Sequence, residues 1–262
     1  MARGKSRSNT IEKVLVQARE IAASGVKEIV LTGVNLGDFG AYTPELEGAD
    51  VKESFFELIQ ALDKVEGIER FRLSSIEPNL LSNDIISFVA NSNKFMPHFH
   101  IPLQSGSNKI LGLMRRRYKR ELYAERVALI KKLMPHAAIG VDVIVGFPGE
   151  TEEYFEETFQ FIHELDVTYL HVFTYSERDH TKALEITPVI PVNIRNDRNK
   201  RLRNLSYMKQ QYFNQQFDGQ ERKVLFESHD KNGMMEGYTD NYIKVTTPYR
   251  EEWKNELVNW TL

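Results

Sequence analysis

Short apolar segments alternate with amphipathic stretches from residue 11 to residue 173 of this chain. The apolar segments have the length of buried strands, and the stretches between them repeat apolar residues at helical spacing. The predicted strands are 28–31, 70–74, 98–101, 138–145 and 169–173. The predicted helices are 11–22, 55–64, 84–90, 108–114, 120–134 and 152–164. This alternation is typical of a parallel sheet with helices outside it. The strands are too few for a complete eight-stranded barrel, so an open or incomplete α/β sheet is expected.

The alternation ends at 187–191, a segment that contains two prolines. A long helix is predicted over 193–217, and the sequence then changes to short β segments separated by turn residues. These segments are 222–227, 234–238, 242–245 and 257–260. We therefore predict two domains, an α/β domain over 1–217 and a small β domain over 218–262. A small β-barrel of this kind often binds nucleic acid, and we expect this one to stop before its last strand.

The 262 residues include no cysteine. This composition excludes disulfides, thiolate metal ligands and cysteine nucleophiles within the chain. His98 and His100 lie on one face of a predicted strand, but no third ligand has suggestive spacing, so no metal site is predicted. No apolar run approaches the roughly 20 residues of a membrane span, and no signal peptide opens the sequence. We expect a cytoplasmic protein.

The net charge of −3 conceals a strong segregation of charge. Residues 109–132 include nine basic and two acidic side chains, and residues 195–209 include six basic and one acidic. Residues 150–166 include seven acidic side chains and none that is basic. Basic blocks attract polyanions, and solvated helix faces are the alternative. The repetition of such blocks favours a phosphate-bearing partner.

Polar loops follow the predicted strands at 32–35, 74–78 and 102–107. Parallel α/β sheets place their chemistry in such loops. Their hydroxyls, amides and carboxylate suit a ribose or an amino group, and the arginines at 115–117 suit a carboxylate or phosphate. Plain turns and helix caps are the alternatives. The loop 146–151 lacks the Gly-Lys-Ser/Thr end of a Walker loop, and no Gly-x-Ser-x-Gly elbow indicates a hydrolase. The residues alone indicate an α/β ligand-binding domain with a β appendage and a nucleic-acid partner.

Taken together and in order, seven motifs resemble those of the radical S-adenosylmethionine (SAM) methylthiotransferases. The motifs are Ala-Arg-Gly-Lys-Ser-Arg-Ser at 2–8, Thr-Gly-Val-Asn at 32–35, Ser-Ser-Ile-Glu-Pro at 74–78, Pro-Leu-Gln-Ser-Gly-Ser at 102–107, Met-Arg-Arg at 114–116, Asp-Val-Ile-Val-Gly-Phe-Pro-Gly-Glu-Thr at 142–151 and Phe-Thr-Tyr-Ser-Glu-Arg at 173–178. Within the family, 73–78 and 237–242 are most similar to the branch that modifies N6-threonylcarbamoyladenosine beside the tRNA anticodon.

The resemblance implies an incomplete parallel (β/α) barrel of the radical SAM type, followed by a small, truncated, TRAM-like β-barrel. It also implies SAM and two [4Fe-4S] clusters in the full-length enzyme. The family holds one cluster through a cysteine loop just upstream of the motif at 2–8. We therefore expect a fragment that lacks this loop and the first barrel strand, ligates no cluster and is inactive by itself. His180 stands where the family usually has glycine, which affects the geometry of that loop.

The resemblance assigns roles to individual residues. Those expected at the methionyl amino group of SAM are Thr32, Gly33 and Asn35. Those expected at its ribose or methionyl end are Ser75 and Glu77. Those expected at the methionyl carboxylate or the ribose are Gln104, Ser105 and Arg116. Those expected to pack near adenine are Val143, Val145 and Phe173. Those expected to hold RNA phosphates are Arg195, Arg198, Lys200, Arg201 and Arg203. No catalytic side chain is assigned, because the cofactors supply the radical chemistry.

The implied reaction installs a methylthio group at C2 of the modified adenine in a tRNA anticodon stem-loop. Two other enzyme readings remain open, a methylthiotransferase for an aspartate of a ribosomal protein and one for isopentenyladenosine in tRNA. A third possibility, from another class, is a non-catalytic RNA-binding protein. A protein of that kind would need no cluster and therefore no cysteine. The oligomeric state is left open.

Overall fold

The computed structural model describes residues 7–47, 52–227 and 232–262. Of the motif at 2–8, only Arg7 and Ser8 lie within these ranges, and the basic residues Arg3 and Lys5 lie outside them. The helices are α1 (Ile11–Ala23), α2 (Phe55–Leu62), α3 (Asn83–Asn91), α4 (Asn108–Leu113), α5 (Arg120–Leu133), α6 (Glu152–Glu164) and α7 (Val192–Gln215). The strands are β1 (Glu28–Leu31), β2 (Arg70–Leu73), β3 (His98–His100), β4 (Ala138–Val145), β5 (Tyr169–Thr174), β6 (Glu221–Phe226), β7 (Met234–Thr239), β8 (Lys244–Pro248) and β9 (Leu257–Thr261). Among the helices described, none is long and apolar enough to cross a membrane.

The chain forms two compact units. The first contains Met1–Ile76, Leu80–Phe99 and Asp218–Leu262, and the second contains Glu77–Asn79 and His100–Phe217. The first unit thus combines residues 218–262 with parts of the region 1–217. The division into an α/β domain over 1–217 and a small β domain over 218–262 stays a prediction.

The first unit contains a parallel strand pair and an antiparallel sheet. Strands β1 and β2 pair in parallel, with Glu28 opposite Arg70 and Leu31 opposite Leu73. The antiparallel sheet has the order β8-β7-β6-β9. Its apolar core contains Val224, Phe226, Met235 and Val245. These four strands form an open sheet, so the small, truncated, TRAM-like β-barrel that the resemblance implies is not confirmed.

Two arginines of β2 join the parallel pair to the antiparallel sheet within the first unit. The guanidinium of Arg70 donates to the carbonyl oxygens of Lys223 and Tyr238, at 2.7 and 3.1 Å. That of Arg72 donates to the carbonyl oxygens of Thr239 and Asp240, at 2.7 and 2.9 Å. Both side chains are buried. The planar guanidinium has several donors in a fixed arrangement, which allows one side chain to hold two backbone oxygens.

The second unit is built on the parallel pair of β4 and β5, with Asp142 opposite His171 and Ile144 opposite Phe173. The segment that begins at His100 runs beside β4, because the amide of Ile101 donates to the carbonyl of Gly140 at 2.9 Å. Parallel pairing and the intervening helices confirm the predicted α/β class.

The sequence locates most elements to within one or two residues, and β4 spans the predicted 138–145. Two local details differ. We expect Ser8 or Asn9 to cap the first helix, but Thr10 caps it by accepting from the amide of Lys13. The third β segment begins at Lys244 rather than at Tyr242, because Tyr242 has a φ of 67° and belongs to the preceding turn.

Candidate cofactor site and basic surface

In the first unit, the loop after β1 borders a cavity of about 580 Å³. Thr32 and Gly33 are exposed at its edge, while Asn35 is half-buried and its amide donates to a carboxylate oxygen of Asp38 at 3.3 Å. The backbone of this loop and the amide of Asn35 therefore offer donors and acceptors at a solvent-accessible cavity. The geometry is compatible with the predicted contact to an amino group.

The same loop is fixed to the end of β2. The amide of Leu36 donates to the carbonyl oxygen of Ser75 at 3.3 Å. Ser75 is half-buried and Leu36 is buried. The structure thus places two of the predicted segments, the loop 32–35 and Ser75, beside one another within this unit.

In the second unit, Arg116 and Glu77 form an ion pair of 3.2 Å. Each side chain keeps a little over a quarter of its surface exposed. Arg116 also lines a cavity of about 690 Å³ with Ile144, Phe147 and Tyr175. The Nε of Arg116 is buried and has no hydrogen-bond acceptor among the described residues. A guanidinium at a cavity wall with a remaining donor suits a carboxylate of a ligand.

The side chain of Ser105 forms hydrogen bonds that hold the backbone of its own loop. Its hydroxyl lies 3.0 Å from the hydroxyl of Thr158 on α6 and accepts from the amide of Ser107 at 3.2 Å. Ser105 is fully buried, so its position does not support the predicted contact with SAM. Gln104, beside it, is almost buried and has a φ of 69°, and its backbone bridges β4 at Val143.

Strand β4 presents alternate residues to opposite faces. Val143 and Val145 are fully buried, whereas Asp142 and Ile144 are partly exposed. Because paired residues of adjacent strands share a face, Ile144 lies on the same face as Phe173, whose exposure is 53%. The open face therefore carries Ile144 and Phe173, and the positions of Val143 and Val145 do not support a contact with adenine. The polar residue Asp142 within an apolar strand was the signal for which face is open.

The basic block of α7 packs against the acidic start of α6. Arg198 is buried and donates to the carboxylates of Glu150 and Glu152, at 2.9 and 2.8 Å. Arg195 is also buried and donates to the carbonyls of Ile190 and Tyr175. These two arginines stabilise the second unit internally, so their positions do not support contact with RNA phosphates.

The remaining predicted RNA-binding residues differ in exposure. Arg201 is half-buried, pairs with Glu156 at 2.7 Å and lies over the rings of Phe155 and Phe159. Lys200 and Arg203 are exposed on α7. The contact of Lys200, Arg201 and Arg203 with phosphate remains a proposal. Much of the charge of Arg201 is already compensated by its ion pair with Glu156.

Burial controls the titration of Glu150. Its carboxylate is fully buried, accepts from the amide of Gly146 at 2.6 Å and pairs with Arg198. Burial raises the pKa of Glu150 to about 7, although the Gly146 amide and Arg198 act in the opposite direction. This carboxyl fixes the turn after β4 to α7, and we assign it a structural role.

One group of side chains on the open face was not found from the sequence. His100, Asp142 and His171 have potential ligand atoms within 4.8 Å of one another. The Nε2 of His100 lies 2.8 Å from Oδ1 of Asp142, and the rings of His100 and His171 are 5.2 Å apart. His98 instead stacks on Tyr242 at 3.9 Å, so the two histidines of β3 do not act as a pair.

Comparison with known proteins defines the class to which this fold and site belong. The family model described as the radical SAM superfamily matches residues 1–162, which is more than half of the chain. The chain therefore belongs to the radical SAM superfamily.

Curated relatives of the chain include enzymes named as tRNA methylthiotransferases. The chain is 40% identical over 98% of its length to the threonylcarbamoyladenosine tRNA methylthiotransferase of Bacillus subtilis, and 40% identical over 93% to that of Aquifex aeolicus. It is 34% identical over 98% to the tRNA-2-methylthio-N(6)-dimethylallyladenosine synthase of Caldicellulosiruptor saccharolyticus. The matches cover 56%, 56% and 54% of those relatives, so the chain spans about half their length. The resemblance to methylthiotransferases that the motifs indicate is confirmed.

Membership of the superfamily implies SAM and a [4Fe-4S] cluster. In the second unit, Arg116 at the cavity wall has a buried donor that suits the carboxylate of SAM. In the first unit, the loop 32–35 offers hydrogen-bonding groups to a polar part of a ligand. An iron–sulfur cluster does not fit the residues present, because these 262 residues offer no thiolate ligand.

Proposed function

We propose that the chain is the radical SAM portion of a tRNA methylthiotransferase that acts on N6-threonylcarbamoyladenosine next to the anticodon. The observation that carries the proposal is its 40% identity to two enzymes with that name, over 93–98% of the chain. The likeness to dimethylallyladenosine enzymes is somewhat lower, at 34–37% in two of them. That branch is the second candidate.

In this proposal the radical chemistry would come from cofactors of the whole enzyme, and this chain would supply binding and orientation. Arg116 would hold the methionyl carboxylate of SAM, since its guanidinium borders the cavity of the second unit. Glu77 pairs with Arg116 and would keep the guanidinium in place. Removal of Glu77 would therefore weaken SAM binding indirectly.

The loop after β1 would contribute a separate polar contact. Asn35 is held by Asp38, which fixes the direction of its amide at the cavity of the first unit. Thr32 and Gly33 offer backbone groups at the same cavity, because both are exposed at this loop. Both [4Fe-4S] clusters would be held by other parts of the whole enzyme, because this chain offers no thiolate ligand.

The anticodon loop would be held in part by exposed cations of α7. Lys200 and Arg203 are the exposed predicted residues. Phosphate contacts dominate the affinity of proteins for nucleic acids and fix their register, whereas recognition of single-stranded RNA uses splayed-out bases. Cations on a helix surface would therefore contribute affinity without selecting the base.

The test is nucleoside mass spectrometry of tRNA from a strain in which the encoding gene is deleted. We expect loss of the 2-methylthio form of N6-threonylcarbamoyladenosine and its restoration by the full-length gene. Restoration should fail with Arg116→Ala and succeed with Arg19→Ala, an exposed arginine of α1 that serves as the matched control. Loss of the 2-methylthio form of isopentenyladenosine instead would select the second candidate, and retention of both nucleosides would refute both.

A further inference from the structure

Three side chains on adjacent parallel strands form a row on the open face of the second unit. Asp142 of β4 is the register partner of His171 of β5. His100 lies at the end of β3, and its Nε2 is 2.8 Å from Oδ1 of Asp142. The side chains of His100 and Asp142 are each about one fifth exposed, at 21% and 19%, and His171 is exposed. The row is therefore accessible to a small ion.

Two imidazoles and one carboxylate form a donor set that suits divalent transition metals. Ligand atoms at the usual 2.0–2.2 Å from such an ion stand about 3.0–3.5 Å apart. The three ligand atoms here lie within 4.8 Å of one another, so modest side-chain rotation would bring them to that spacing. His171 is the exposed member, and its ring can rotate without disturbing the core.

The ring of His171 also has an aromatic neighbour. The aromatic ring of Tyr169 lies edge-on to His171 at 5.3 Å and limits its orientations.

We propose that His100, Asp142 and His171 bind one divalent first-row transition ion, with Zn²⁺ as the probe ion. Three protein ligands leave open coordination positions, as in sites that also bind water or a ligand atom. The ion would link β3, β4 and β5 on their open face. This inference stands on the three side chains alone and does not depend on the proposed function.

The test is calorimetric titration of the chelator-treated chain with ZnCl₂ at about pH 7.5, where metal binding does not compete with protonated imidazoles. We expect one equivalent bound per chain and a rise in the midpoint of thermal unfolding, since an ion that binds only the folded state stabilises it. His171→Gln and Asp142→Asn should each weaken binding by at least about tenfold. MgCl₂ should show no saturable binding, because Mg²⁺ prefers oxygen ligands.

His180→Asn is the matched control. His180 is an exposed histidine of the same unit with a φ of 62°, a conformation that asparagine also adopts. This variant should bind Zn²⁺ as the parent chain does. His171→Gln changes an exposed side chain and should keep the fold, which circular dichroism verifies. The proposal is overturned if Zn²⁺ shows no saturable binding, if both row variants bind as tightly as the parent, or if Mg²⁺ binds equally well.

Discussion

The guanidinium of Arg198 lies 2.9 Å from a carboxylate oxygen of Glu150, and both side chains are buried. A second carboxylate, that of Glu152, pairs with the same guanidinium at 2.8 Å. The negative charge of the acidic block and the positive charge of the basic block thus offset each other where α6 packs on α7. The interaction has consequences for stability that can be measured.

The free energy of unfolding should depend on pH through Glu150. Burial raises its pKa from 4.5 to about 7, so its contribution to stability is full below pH 4.5 and is lost as the pH rises through 7. Glu150→Gln keeps an acceptor for the Gly146 amide but does not titrate. Relative to this variant, the parent chain should lose on the order of 3 kcal/mol between these limits. Urea unfolding at several pH values measures the difference.

Glu153→Gln is the control for this pH dependence, because Glu153 is exposed on the same first turn of α6. Its unfolding free energy should follow that of the parent chain at every pH. Parallel pH profiles for the parent and Glu150→Gln would contradict the raised pKa.

Gly146→Ala should destabilise the second unit. Gly146 has a φ of 74°, and a Cβ there would lie 2.3 Å from Cγ of the buried Arg195. The left-handed backbone and the steric overlap together should cost about 2–4 kcal/mol. Gly112→Ala is the matched control, since nothing lies within 4 Å of a Cβ at this helical position. That change should leave stability the same or raise it by up to about 1 kcal/mol. Equal unfolding midpoints for the two variants would refute the prediction.

Arg72→Met should weaken the attachment of the antiparallel sheet in the first unit. It removes the donors to Thr239 and Asp240 and leaves Glu28, which accepts from Arg72 at 2.9 Å, without that cation. Loss of the partner of this partly buried carboxylate costs up to about 3–5 kcal/mol. Hydrogen exchange should accelerate at the amides near Thr239. Arg19→Met, at an exposed site, should change neither stability nor exchange, and slow exchange in Arg72→Met would show that the arginine does not hold the turn.

The double variant Lys200→Gln and Arg203→Gln should weaken tRNA binding by the full-length protein. If each cation contacts one phosphate, the dependence of log K on log salt should fall by about 2 for the pair. Lys13→Gln, a cation of α1, is the control and should leave the slope unchanged. An unchanged slope in the double variant would place the phosphate contacts elsewhere.

Much of the fold followed from local sequence. Apolar periodicity located β4 at Ala138–Val145, and α6 begins after Thr151 as its capping chemistry predicts. The loops 32–35 and 74–78 follow β1 and β2 as predicted, and the cofactor contacts assigned to them stay predictions. For Val143 and Val145, periodicity defines two faces of the strand but does not say which face is covered. Asp142 marks the open face of β4. Its place in a group of potential metal ligands depends on His100 and His171, which only the fold brings beside it.

Local spacing and composition were enough to predict the order and type of most elements, the class of the fold and the absence of thiolate ligands. Which charges stay available to a ligand depends on packing between elements. Arg195 and Arg198 precede Leu202 by seven and four residues and share its buried helix face, whereas Lys200 and Arg203 are exposed. Ion pairing joins residues nearly fifty positions apart, such as Arg198 and Glu150, and no local pattern specifies such partners.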